Sequence, residues 1–289
     1  MSITKNKLIL GWLGGLALAA IFVWLAVFTK AGSGKLAVDF LDVGQGKAIF
    51  IEEPGGAQIL IDGGPNNSVI ERLSAVMPYF DRRIDMLILT HPDSDHLAGL
   101  VEVLKRYEVD QIIETGIDDP TALYQEWRRL IKEKNIPVTL ALAGQRIKIG
   151  EDFSLKILFP SGSLAGQTFA NTNQSSIVAR LQYGSNSFLF TGDAEEATES
   201  FLVGTGADLD SDILDVGHHG SKNSSSQDFL DAVAPDTAVI QVGANNRYGH
   251  PAQETLDKLK GVQIYRTDLD GNVDFSCDLA KCIVQAGNK

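Results

Sequence analysis

Every histidine of this 289-residue chain falls in one of three places, and each place follows a run of apolar, strand-forming residues. His91 and His96 come after IDMLILT (84–90), His218 and His219 after DILDVG (212–217), and His250 after TAVIQVG (237–243). A strand that reads as continuously apolar is covered on both faces, so it belongs inside a layered structure. Residues just beyond the ends of several such strands collect along one rim. Further strand-like runs lie at 35–43, 47–53, 57–62, 110–115, 137–141, 153–159, 175–183, 187–193 and 262–267, with helix-like stretches at 68–77, 97–107, 121–135, 194–202, 226–234 and 252–259. The simplest architecture for this alternation is α/β (α+β): two mixed sheets packed together with helices outside.

The N-terminus differs from the rest. Leu8 to Phe28 is 21 residues without a charge, flanked by Lys5 and Lys7 and then by Lys30 and Lys35. At about 1.5 Å per residue this crosses a hydrocarbon core of about 30 Å. A cleaved signal peptide has a shorter apolar region and a small-x-small site, whereas here Phe28-Thr29-Lys30 follows directly. The expected organisation is a short tail (1–7), a transmembrane anchor (8–28), a linker (29–35) containing Ala31-Gly32-Ser33-Gly34, and one domain (36–289). The flanking lysines nearly balance; a basic tail inside and a large domain outside the cytoplasm is the preferred orientation of this single-pass membrane protein. Cys277 and Cys282 lie in two short β-like runs joined by a polar turn, and two readings stay open: a disulfide, which suits an oxidising exterior, or two reduced, half-buried thiols.

With 44% apolar and 21% charged residues the chain is neither disordered nor fibrous. A net charge of −12 excludes a broad cationic face, so a polyanionic substrate has to be held by metals or by a local patch.

The sequence LILT-HPDSDHLAG sets His91, Asp93, Asp95 and His96 in the turn between an apolar strand and an amphipathic helix. Alternate residues of an extended turn project to one side, so His91 and Asp93 can chelate one ion while Asp95 and His96 turn toward a second. Two ions about 3.5–4 Å apart can share a water and lower its pKa. A solvated acidic loop with a helix cap at Asp95 would explain the aspartates but not both histidines. Asp193 closes SFLFTGD, where a carboxylate can bridge two cations; a lone TGD more often marks a turn or cap.

HPDSDH, TGD and GHHGS in that order, preceded by FLDVGQG and LIDGG and followed by NRYGHP, resemble the metallo-β-lactamase superfamily, most closely the extracytoplasmic hydrolase domain of the ComEC competence-protein family. The resemblance covers about residues 36–275. It implies a four-layer αββα sandwich with a metal site at the edge shared by the sheets. It further implies two divalent ions, Zn²⁺ or Mn²⁺, and hydrolysis of phosphodiesters, with single-stranded DNA as the substrate during uptake. The long polytopic channel region of that family is not in this sequence, a departure that bears on transport itself; a channel or competence protein is an expected partner.

Carried over residue by residue, His91, Asp93, Asp95 and His96 match the metal-binding turn, Asp193 the bridging carboxylate, and His218 or His219 the last histidine ligand. His218, nearer the strand, is the favoured ligand, with His219 contacting substrate. Asn173 in NTNQSS stands about where the superfamily has another histidine, or is simply a loop asparagine. The resulting oxygen-rich set suits Mn²⁺ or Mg²⁺, with zinc still open. Asp42, Gln45 and Asp62 lie at early strand ends and either orient ligand histidines or serve turn chemistry beside their glycines. Asp95, His219 and His250 are the candidate catalytic groups. His250 either donates a proton to the leaving group or binds a phosphate oxygen, with Arg247 as the nearest cation, or it is a turn histidine. Lys47 departs from the family's DVGQGD and either holds a phosphate or is a solvated strand residue. Against the phosphodiesterase or nuclease stand a hydrolase of another ester, such as a phosphorylcholine-type ester or a lactone, and a non-catalytic component of a DNA-uptake or envelope assembly.

Overall fold

A computed structural model describes residues 11–23 and 34–287. Residues 11–23 form helix α1, its side chains exposed. The tail, residues 8–10 and 24–28 of the apolar segment, and residues 29–33 of the linker lie outside the described residues. Among the described residues no helix is long and apolar enough to cross a membrane.

From Leu36 the chain forms β1 (Leu36–Phe40), β2 (Ile49–Glu52), β3 (Gln58–Ile61), α2 (Ser68–Val76), β4 (Arg83–Ile88), α3 (Ser94–Arg106), β5 (Glu108–Glu114), α4 (Ala122–Lys134) and β6 (Val138–Leu140). A second series follows with β7 (Arg146–Ile149), β8 (Phe153–Phe159), β9 (Val178–Tyr183), β10 (Asn186–Phe190), α5 (Glu196–Gly204), β11 (Ile213–Asp215), α6 (Gln227–Val233), β12 (Thr237–Ile240), α7 (Gln253–Lys258) and β13 (Gln263–Arg266). Short α8 (Thr267–Asp270) leads into β14 (Val273–Cys277) and β15 (Cys282–Ala286), which return to the first sheet. The strand orders are β15-β14-β1-β2-β3-β4-β5-β6 and β13-β12-β11-β10-β9-β8-β7.

Alternation within the strands builds three apolar layers. Val38, Phe40, Ile49, Ile51 and Ile88 of the first sheet meet Leu155, Leu181, Phe188 and Phe190 of the second. The opposite faces of the first sheet, with Phe50, Leu60 and Leu87, pack under Leu73, Leu100, Leu104 and Trp127 of α2, α3 and α4. Leu189, Leu214 and Ile240 pack under Leu202, Phe229 and Leu230 of α5 and α6. The result is the helix–sheet–sheet–helix sandwich that the sequence pattern predicts.

β3 to β6 run parallel, as do β10 to β13, and the loops leaving their carboxyl ends meet at one rim. Because β1 is antiparallel to β2 and β2 to β3, β1 enters from the opposite rim. Cys277 and Cys282 pair across β14 and β15 and are joined by a disulfide, which settles the two open readings in favour of the bridge.

Candidate metal centre

β4 delivers the chain to His91, and α3 starts at Ser94 with Asp93 as its N-cap. The Asp93 side chain makes no capping bond; its Oδ1 accepts from the Thr172 hydroxyl instead. Asp95 sits in the first helical turn, where the helix dipole favours a carboxylate. Two close approaches press neighbouring loops onto this turn. A Cβ on Gly46 would lie 2.3 Å from the Asp95 carbonyl oxygen, and one on Gly99 would lie 1.7 Å from that of Gly63, so neither position admits a side chain.

Three buried histidines have their tautomers fixed from behind. His219 Nδ1 lies 2.8 Å from the Gln241 carbonyl, which only accepts, so Nδ1 carries the proton. His96 Nδ1 donates to Asp62 Oδ2 at 2.7 Å. The Thr90 hydroxyl donates to the same Oδ2 at 2.7 Å, leaving a lone pair of Thr90 to accept from His91 Nδ1 at 3.0 Å. The backbone N–H of Thr90 also donates to Asp62 Oδ1, so Asp62 is saturated by this one loop and orients two histidines. With each Nδ1 spoken for, each Nε2 is bare.

Those bare nitrogens converge. His91 Nε2, His96 Nε2, His219 Nε2, Asn173 Oδ1 and Asp193 Oδ1 are all buried without a hydrogen-bond partner. Five orphaned polar atoms would be costly in a dry interior unless something binds them. His91, His96 and Asp193 offer ligand atoms within 4.8 Å of one another, and so do Asp95, His96 and His219. Asp193 spans the two groups: Oδ1 is 3.3 Å from His96 Nε2 and Oδ2 is 3.5 Å from His219 Nε2. The donor set, imidazole nitrogens with carboxylate and amide oxygens, fits divalent cations.

The electrostatics show a site organised around positive charge. Burial opposes an ionised Asp193, but His219 and His96 outweigh it and hold the carboxyl well below its ordinary range. Burial also opposes a charged His96, yet Asp193 and Asp62 raise its pKa well above the usual value, so without a cation Nε2 takes a proton in the place a cation would occupy. In Asp95 the adjacent His219 ring and the charge of His96 overcome burial and hold the pKa down at about 2. His91, buried and beside His96, is pushed down to about 3 and stays neutral.

The paired histidines are placed in the reverse of the expected order. Both adopt left-handed backbone, φ 47° at His218 and 55° at His219, a conformation that costs on the order of 1–3 kcal/mol for a non-glycine residue and clusters at functional sites. This turn swings His219 inward, with Nε2 3.2 Å from Asp95 Oδ2. His218 stays at the mouth, its Nδ1 3.3 Å from Glu195 and its Nε2 3.9 Å from Asp193. Asp93 belongs to neither ligand group, although its Oδ2 lies 3.8 Å from His91 Nε2. His250 stacks at the same mouth, ring centres 5.5 Å from His218 and 6.4 Å from His219, with its Nδ1 buried and unpartnered. Burial and the neighbouring His218 and His219 lower its pKa. The Arg247 guanidinium lies over the Tyr248 ring.

The early strand-end residues divide. Asp62 orients ligand-type histidines, whereas Gln45 accepts from the Gly243 N–H and so holds the loop that leads to His250. Asp42 accepts from the Gly44 N–H and faces Arg72, the turn chemistry allowed for it. Glu195 is a neighbour of the site that the sequence reading missed, and Lys47 fits neither of the readings given for it. Glu195 accepts from the Asn171 side chain at 2.9 Å and from Asn173 Nδ2 at 3.5 Å, which turns Asn173 Oδ1 inward. Its place two residues after Asp193 was the available signal. Lys47 is neither solvated nor open to a ligand: it is 1% exposed and ion-paired with Asp215 at 2.8 Å.

The model of the metallo-beta-lactamase superfamily matches residues 41–243. ComE operon protein 3 of Bacillus subtilis (strain 168) is 28% identical over 283 residues, 91% of this chain and 35% of that protein. Competence protein ComA of Neisseria gonorrhoeae is 32% identical over 246 residues, 83% of this chain and 32% of that one. The chain thus spans about a third of the length of these relatives. Among solved structures, the metallo-beta-lactamase fold protein YhfI from Bacillus subtilis superposes with a TM-score of 0.57 at 12% identity, covering 84% of this chain and 100% of that one. CmlA, a diiron beta-hydroxylase from Streptomyces venezuelae, superposes with a TM-score of 0.54 at 17% identity over 85% of this chain and 54% of that one, so these likenesses speak for fold alone. Family model, sandwich and convergent ligand-type rim agree: the chain belongs to the metallo-beta-lactamase superfamily, a family of metal-dependent hydrolases.

Proposed function

We propose that the chain is a two-metal phosphodiesterase, in its finer form a nuclease for single-stranded DNA, held at a membrane by its N-terminal segment. The observation that carries this reading is the convergence of five buried, unpartnered polar atoms from separate strand ends on one rim. One imidazole nitrogen holds one cation, so His96 joins one group only. With Asp95 and His219 it would hold the second cation; His91, Asp93 and the Asn173 amide oxygen would hold the first, and the Asp193 carboxylate would serve both. His219 rather than His218 is then the ligand of the pair. Two divalent cations so held supply Lewis acidity toward a phosphoryl oxygen and a water of lowered pKa. The oxygens of Asp93, Asp95, Asn173 and Asp193 suit Mn²⁺, while the three imidazoles suit Zn²⁺ equally well.

Around the cations the chain's own groups act on substrate. Asp95 stays ionised and can accept a proton from the attacking water. His250 offers Nδ1 to a phosphate or leaving oxygen at the mouth, and His218, tied to Glu195, lines the same approach. With a net charge of −12, the domain has to hold a polyanion through the cations and Arg247, so binding should weaken steeply with salt.

Supporting the anchored form, residues 8–28 are uncharged, and β1, the first strand after the linker, begins at the rim opposite the centre. The disulfide suits an extracytoplasmic domain. A channel or competence protein is the partner this reading expects.

The test is the full chain in detergent, stripped with EDTA and reloaded with Mn²⁺ or Zn²⁺, assayed on bis-p-nitrophenyl phosphate, single- and double-stranded DNA, and a choline phosphoester. Turnover of phosphodiesters that vanishes with the metal is expected. A fully loaded protein that cleaves none of them refutes the phosphodiesterase, and cleavage of the choline ester alone selects the other hydrolase.

A further inference from the structure

The Lys47 ammonium lies among four acceptors: both Asp215 carboxylate oxygens at 2.8 Å, the Gly192 carbonyl at 2.8 Å and the Val216 carbonyl at 2.9 Å. An ammonium has three protons, so none is left for a substrate phosphate. The two carbonyls are informative because of their neighbours. Gly192 directly precedes Asp193, and Val216 is two residues before His218 and three before His219. The main chain of Lys47 reaches two further site segments. Its N–H donates to the Asp95 carbonyl at 3.1 Å, and its carbonyl accepts from Gly64, two residues beyond Asp62, at 2.8 Å.

We propose that Lys47 is the positioning residue of the metal centre: its buried ammonium ties the loop that carries Asp193 to the loop that carries His219, and so sets the spacing of the ligands on the second sheet. The proposal rests on the two-metal reading. A buried ammonium has to place all three protons, so what distinguishes this one is which acceptors it takes. Here the lysine also takes the two carbonyls adjoining the ligand loops. Asp215 is braced in turn by Thr191, whose N–H donates to its Oδ2 at 3.3 Å, so the clamp closes on the residue before Gly192 as well.

The test separates tethers from ion pair. Wild type, Asp215→Asn, Lys47→Met and Lys47→Met/Asp215→Asn are compared by Mn²⁺ calorimetry, the visible spectrum of bound Co²⁺, and thermal midpoint. Lys47→Met alone strands a buried carboxylate and serves only as the control for lost folding. Asp215→Asn also leaves a buried charge unpaired, so its midpoint should fall, but it keeps the carbonyl tethers and the folded protein should hold Mn²⁺ within about threefold of wild type. The neutral double variant should fold with a native midpoint but bind Mn²⁺ roughly 10–100-fold more weakly, with an altered Co²⁺ band. Unchanged affinity and spectrum in the double variant overturn the proposal, as does an equal loss in Asp215→Asn alone, or a double variant that fails to fold. A wild type that binds neither ion overturns the metal centre itself, and the proposal with it.

Discussion

At the metal rim Asp62 and Asp193 are buried beside three imidazoles, while on the outer face of the first sheet Asp39 of β1 is buried directly opposite Asp274 of β14, with Glu52 on the neighbouring strand. Burial acts on both places alike, disfavouring charge. The outcomes are opposite. Asp193 is held well below its ordinary range by His219 and His96, whereas burial, Asp274 and Glu52 push Asp39 up to about 8. At the rim, histidines locked from behind leave lone pairs aimed at a common point, which calls for a cation. On the sheet face, Asp274 and Glu52 add like charge to the burial of Asp39, and a proton relieves it. Buried acids alone therefore do not make a metal site; the fixed tautomers behind them do.

The largest effect that could break this contrast is at Asp193, the carboxylate proposed to bridge. Asp193→Asn removes the charge shared by the two ligand groups and leaves His96 and His219 facing a neutral amide. Metal content of the purified protein should fall from two equivalents toward one or none, and phosphodiester turnover by more than about 100-fold. Two retained equivalents by elemental analysis would mean that Asp193 is no bridge.

A smaller change probes the locking itself. Asp62→Asn keeps the shape but cannot accept from Thr90 N–H, the Thr90 hydroxyl and His96 Nδ1 together. Mn²⁺ affinity should drop by roughly 10–100-fold. Asp274→Asn, on the other face, should leave it unchanged in the same calorimetric titration. Equal responses in the two variants would erase the distinction between the two acidic places.

How far these features can be read from the sequence follows from how local they are. The sandwich is legible because strand and helix periodicities differ and because two apolar runs lead directly into histidine. HPDSDH and TGD are legible because each concentrates ligand types in a few residues. The choice between His218 and His219 depends on two successive left-handed residues, φ 47° and 55°, which neighbouring glycines suggest but do not impose. Lys47 misleads because a lysine in a short strand normally faces water; its partner Asp215 is 168 residues away, inside what reads as an apolar strand end. Asp39 is hidden in the same way. LAVDF reads as an ordinary strand with one outward polar residue, and only pairing with β14 shows that the outward neighbour is another carboxylate.

Asp39 also gives the mildest test, which titrates the second acidic place without touching the first. Val38 and Phe40 point between the sheets, so Asp39 points outward, yet it is only 7% exposed. Its folded pKa of about 8 lies above the ordinary 3.8, so between these values the folded state keeps a proton that the unfolded chain has released. Its contribution to stability is fully present below about pH 4 and is lost as the pH rises through about 8. Burial also raises Asp274, which adds a slope of the same sign. Asn at position 39 is neutral throughout. Asp39→Asn should therefore match wild type near pH 4 and exceed it above pH 8 by about 1 kcal/mol or more, roughly 2–4 °C in midpoint for a domain of this size. Thermal melts at pH 5, 7 and 9 in metal-free buffer read this difference, because the rim titrates identically in both proteins and cancels. Parallel curves would show that the carboxyl pair is ionised in the folded state, and the contrast between a place built for a cation and a place that takes a proton would then rest on the rim alone.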